Sequence, residues 1–124
     1  YINGAVLRVD RRASIEFLND VDFLLENHVI QADEARTPLR QLYFIVQTML
    51  IDPVNAGVTL ELYKHVSYRV AQAVETPELQ SALVAVDDRV TRGRYFEALK
   101  LLRNAFAAEE KALAGVEKVQ EEAA

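Results

Sequence analysis

The stretch "RTPLRQLYFIVQTMLIDP", residues 36–53, decides how this chain folds. From Tyr43 to Leu50 only Gln47 and Thr48 are polar, although the chain as a whole is acidic. The segment also lies between two prolines, Pro38 and Pro53. Each follows a residue able to cap a helix, Thr37 and Asp52, and Thr76-Pro77 repeats the pattern. A capping side chain accepts a backbone N–H of the first turn, and proline at the next position sacrifices no bond there. The three pairs therefore predict three helix starts. A helix over 38–51 that is apolar nearly all round needs several neighbours to cover it. It is expected to be the core helix, covered by the other helices and by whatever sheet the chain forms.

The segments that follow read as amphipathic helices with a single apolar stripe. Residues 53–75 place Val58, Leu62, Val66, Val70 and Val74 at a spacing of four. Residues 77–91 carry Leu79, Leu83, Val86 and Val90, and residues 94–114 carry Tyr95, Leu99, Leu102 and Phe106. Gly93 separates the last two helices, and Gly115 is expected to loosen the end of the fourth. The reading is a bundle of about four helices over 37–115, followed by a frayed acidic tail over 116–124.

The front of the chain has a different period. In "AVLRV" (5–9), "ASIEFL" (13–18) and "VDFLLE" (21–26) apolar residues alternate with polar ones, as on strands with one buried face. Asn3-Gly4, Asp10-Arg11-Arg12 and Asn19-Asp20 punctuate them, and Asn-Gly is a strong hairpin signal. Residues 1–30 are thus expected to form a small antiparallel β-meander, which makes the fold class α+β. The first residue is Tyr1 rather than Met, so a preceding segment is expected to complete the first strand.

Composition narrows the function. Of 124 residues, 14 are Lys or Arg and 19 are Asp or Glu, for a formal charge of −5. That balance argues against a strongly basic binder of nucleic acid or membrane, though not against a local basic patch. With no cysteine there is no disulfide or thiolate site, and a cytoplasmic setting is the simplest. No apolar run approaches the roughly 20 residues of a membrane span. His28 and His65 fall in different segments and read as structural or solvent-facing. Asp87-Asp88 and Glu109-Glu110 read as solvated pairs, because adjacent helical residues diverge by about 100°. Without a glycine-rich phosphate loop or a nucleophile motif, no catalytic residue, metal site or cofactor is expected, and the chain does not read as an enzyme. Positive charge clusters twice: at Arg8, Arg11 and Arg12, and in "DRVTRGRYFEALKLLR" around Arg89, Arg92 and Arg94. Such clusters can hold phosphates or can simply be solvated, and these six arginines are the candidate RNA-binding residues.

Taken in order, "NGAVLR", "RRASIEFLN", "TPLRQLYFIVQTMLIDP" and "RGRYFEALKLLRNAFAAEE" resemble the FlbT family of flagellin post-transcriptional regulators over nearly the whole chain. Family members open with a further segment containing a Pro-Gly-Glu-Lys turn, which this sequence does not have. The resemblance implies a cytoplasmic, non-enzymatic regulator that acts on the 5′ untranslated leader of flagellin messenger RNA. It is usually described as a repressor or a modulator of message stability, and in some relatives as an activator. The partner it implies is FlaF, a second small flagellar regulator. An adaptor is the alternative: its surface would bind FlaF, flagellin or its own copy, and its effect on RNA would be indirect.

Overall fold

The computed structural model describes residues 24–123. Four α-helices make up most of it: α1 (Pro38–Ile51), α2 (Ala56–Ala73), α3 (Pro77–Thr91) and α4 (Tyr95–Ala123). Short 3-10 turns occupy Glu26–His28, Ala32–Glu34 and Pro53–Asn55. α1 packs against both α2 and α4, while α3 packs chiefly on α4 and also touches α2.

α1 is the core helix. Leu39, Leu42, Tyr43, Ile45, Val46, Gln47 and Met49 are buried, and along its length only Gln41 is exposed rather than buried or half-buried. Its two polar interior residues are both satisfied. Thr48 Oγ1 donates to the carbonyl of Phe44 at 2.9 Å, one turn back on its own helix. Gln47 reaches across to the segment before α1: its Oε1 accepts from Ile30 N and its Nε2 donates to Ile30 O, each at 2.8 Å. One amide thereby pairs both backbone groups of Ile30, a residue that is itself in no strand. Among the described residues the cover of α1 is α2, α4 and this preceding segment, and α3 is not one of its main neighbours.

The expected α+β class is therefore corrected. Among the described residues there is no strand. The end of the expected meander, residues 24–30, holds the 3-10 turn Glu26–His28, and its pattern of burial is reversed. Leu24 is 2% exposed, whereas Leu25, which the alternation placed on a buried face, is 52% exposed. A strand needs a neighbour to pair its backbone, and here the Gln47 side chain takes that role at Ile30. The rest of the meander, residues 1–23, lies outside the described residues.

Of the three proline-marked helix starts, only the first is capped as expected. Thr37 Oγ1 accepts from Arg40 N at 3.2 Å. Asp52 instead closes α1, its N–H bonded to Thr48 O, and Pro53 opens a 3-10 turn before α2 begins at Ala56. The Asp52 carboxylate accepts from Asn55 Nδ2 at 2.8 Å. Thr76 stands at the start of α3 with Pro77 in the first turn, yet its hydroxyl caps nothing. Proline sets the backbone entry in all three places, whereas the side-chain cap depends on a rotamer that local sequence does not determine.

The stripes of α3 and α4 are buried as expected: Leu79, Leu83, Val86 and Val90 on one, Leu99 and Leu102 on the other, with Tyr95 and Phe106 partly covered. The α2 stripe is right at Val66, Val70 and Val74 and wrong at its first two positions. Val58 and Leu62 are 78% and 52% exposed, and the buried face runs through Ala56, Leu60, Tyr63, Val66, Val70 and Val74. A step of four overshoots a turn by about 40°, so a strict run of fours winds off any fixed face after two or three steps. The mixed three-and-four spacing of the true face keeps pace with the helix. α4 also continues through Gly115 to Ala123, past the 115 boundary expected of the bundle.

Candidate nucleic-acid interface at the α3–α4 junction

The junction is built by one left-handed residue. Gly93 has φ 74°, the single positive-φ glycine among the described residues. Gly93 N donates to Val90 O at 3.0 Å and Arg94 N to Arg89 O at 2.8 Å, the paired bonds of a Schellman motif. This turn sends α4 back along α3 and gathers Arg89, Arg92 and Arg94 at one end of the helix pair.

The three arginines share two carboxylates. Asp88 pairs with Arg89 and, at 3.1 Å, with Arg92 Nε. Glu97 takes Arg89 Nε at 3.0 Å and Arg94 Nη1 at 3.7 Å. The cluster keeps one surplus positive charge, and every member is at least a third exposed: 37% for Arg89, 62% for Arg92 and 59% for Arg94. Exposed pairs of this kind contribute about 0–1 kcal/mol each, so the guanidiniums can be drawn to another anion at small cost. Farther along α4, Lys100 and Arg103 make no ion pair among the described residues. The other candidates, Arg8, Arg11 and Arg12, lie outside the described residues.

Sequence reasoning missed a second polar cluster, between α1 and α4. Glu109 read as a solvated residue, but it is 3% exposed. Its Oε2 accepts from Leu39 N at 2.8 Å, which satisfies an orphan N–H in the first turn of α1 and sets a negative charge at the positive end of that helix. Arg40 stands beside it, with Nη1 3.9 Å from Glu109 Oε1 and Nη2 2.7 Å from Glu110 Oε1. The Arg40 guanidinium also lies 4.5 Å from the centroid of Phe106, a cation–π contact. Phe106 in turn packs tilted on Tyr43, with ring centroids 5.5 Å apart. The Tyr43 hydroxyl donates to the carbonyl of His28 and accepts from Arg103 Nη1, the latter at 3.0 Å. Burial raises the Tyr43 pKa, against the lowering effect of Arg103. Desolvation lowers that of His28, with the Arg103 charge acting the same way. On α2, burial pushes Tyr63 far above its ordinary value; its hydroxyl meets Asp87 Oδ1 at 3.3 Å. A sequence signal for Glu109 did exist. The α4 stripe at 95, 99, 102 and 106, continued by three, lands on it.

None of these clusters is arranged for catalysis. The carboxylates of these clusters, Asp88, Glu97, Glu109 and Glu110, are capping or ion-paired, and no three His, Asp or Glu among the described residues come together as metal ligands. No described helix is long and apolar enough to cross a membrane.

The family model for the flagellar protein FlbT matches residues 1–113. The chain belongs to the FlbT family. A probable flagellum biosynthesis repressor protein FlbT of Mesorhizobium japonicum is 51% identical over 115 residues, 93% of this chain and 78% of that protein. A second protein of that description, from Bradyrhizobium diazoefficiens, is 50% identical over 94% of this chain and 85% of its own length. One from Agrobacterium fabrum is 47% identical over 94% of this chain and 78% of its own. No solved structure matches the chain. Membership in the FlbT family gives the chain a regulatory role in flagellum synthesis, in a family of regulators rather than of enzymes.

Proposed function

We propose that the chain is a cytoplasmic post-transcriptional regulator that binds the 5′ untranslated leader of flagellin messenger RNA and alters its stability or translation. The α3–α4 junction carries this reading. Three arginines around a fixed turn share two exposed carboxylates, so phosphates can take the place of Asp88 and Glu97 without a buried charge being stranded. Arginine suits the task because its planar fork of donors matches phosphate oxygens. Arg8, Arg11 and Arg12 are the other group we assign to the RNA. A chain of net charge −5 gains little from long-range attraction, so its affinity rests on these local contacts.

The test is a titration of a flagellin leader RNA against the protein at several salt concentrations. Reversing Arg92 and Arg94 to Glu is expected to weaken binding sharply and to flatten the salt slope by up to ~2, about one per lost phosphate contact. Unchanged affinity and slope, there and on reversing Arg11 and Arg12, would overturn the direct reading. The acidic charge favours a second reading, an adaptor acting through FlaF or flagellin. It requires that the leader shift only when FlaF is added.

A further inference from the structure

The outer face of α2 is unlike that of the other helices. Val58 and Leu62 point outward at 78% and 52% exposure, and Val54, one turn earlier in the 3-10 turn, is 91% exposed. His65 and Arg69 continue the same stripe at the spacing four, three, four, with Glu61, Tyr68 and Gln72 along one flank. Tyr68 is 67% exposed. Contiguous exposed apolar side chains rimmed by polar ones mark interaction sites, and tyrosine and arginine are favoured within them. α2 is also long enough, at 18 residues or about 27 Å, to present the whole stripe to one partner.

The order of residues along the stripe says what that partner is. The first half of α2 carries Val58, Glu61 and Leu62; the second half carries His65, Tyr68 and Arg69. The halves complement each other in kind, acid to base and aliphatic to aromatic. A helix whose halves are complementary pairs with itself when it is turned end over end, which is the geometry of an isologous two-fold interface. We propose that the outer face of α2 is such an interface between two copies of this chain. α2 packs antiparallel on α2 of the second copy, with Leu62 against its Tyr68 and Glu61 toward its Arg69. Among the described residues of one copy Glu61 pairs only with Lys64, at 3.5 Å between side chains that are 76% and 62% exposed. Arg69 makes no ion pair among the described residues. Both are thus available across the two-fold axis. The mixed spacing is what a pair of antiparallel helices needs to interlock along a seam. The interface is independent of the RNA reading, because none of its residues belongs to the arginine clusters.

Sedimentation equilibrium over a range of micromolar concentrations tests this, with circular dichroism and thermal melting as controls for folding. The expected result is a reversible dimer. Leu62→Glu should raise its dissociation constant by about tenfold or more, as for a large side chain near the middle of an interface, while the helical signal and the melting curve of the dilute protein stay as they were. Glu61→Arg and Arg69→Glu should each weaken the dimer, and the two together should restore it, because the swap rebuilds both symmetric pairs. A chain that stays monomeric at every concentration would overturn the proposal. So would a dimer indifferent to Leu62→Glu, which would place the contact elsewhere, or a double charge swap no tighter than its parents.

Discussion

Removing the Glu109 carboxylate tests the least expected feature of the structure. Glu109 Oε2 accepts from Leu39 N at 2.8 Å in a fully buried contact, and Pro38 ahead of it has no N–H, so Leu39 is the first donor of α1. In Glu109→Ala that N–H loses its partner inside the protein. An orphaned buried donor costs about 1–3 kcal/mol, and loss of the negative charge at the helix start adds about 0.3–1 kcal/mol. Arg40 keeps Glu110 and Phe106 but gives up its approach to Glu109. The sum is a loss of about 1–4 kcal/mol, a sizeable part of what holds a small domain folded. Glu109→Gln retains an acceptor and forfeits the charge, so it should cost about 1 kcal/mol or less. Urea unfolding followed at the helical circular dichroism band measures both, and the gap between the variants isolates the hydrogen bond from the charge. Strong salt should narrow the Gln effect and leave most of the Ala effect, because a buried bond is poorly screened. If Glu109→Ala cost no more than a typical surface change, about 0.5 kcal/mol, Glu109 would not be capping α1 in solution.

Three further outcomes follow from the same structure. Leu42→Ala, at a side chain with no exposure in the core helix, should cost about 2–5 kcal/mol in urea unfolding, and a melt like the parent's would put that face of α1 on the surface. Thr37→Ala should cost about 1 kcal/mol because its hydroxyl caps α1, whereas Thr76→Ala should cost only a small fraction of that; equal losses would contradict the capping geometry. The His28 imidazole, its pKa lowered in the fold, should titrate by NMR with a midpoint below 6.5. The neutral form is then the one favoured by folding, so this group's contribution is present above pH 6.5 and lost as pH falls toward its folded midpoint. A midpoint at or above 6.5 would show that it lacks the desolvated setting near Arg103.

What the sequence determined by itself was whatever repeats along one helix. The apolar block from Tyr43 to Leu50 made α1 the core helix because no orientation of it could face water. Leu79, Leu83, Val86 and Val90 named their own buried face because a spacing of four, three, four stays in phase with the helix. The tertiary structure decided whatever depends on a partner distant in the chain. Glu109 is a cap rather than a solvated acid because the start of α1 lies beside it, 70 residues away in sequence. Ile30 needs no strand because Gln47 satisfies its backbone, so alternation alone misread the residues beside it. Arg89, Arg92 and Arg94 could be counted from the sequence, but their sharing of Asp88 and Glu97 could not. Val58 and Leu62 face outward because α2 turns Tyr63 and Val70 inward against its neighbours, and a period of four cannot register that choice of face. Local periodicity constrains a residue's angle about its own helix axis; only packing decides which angle is covered.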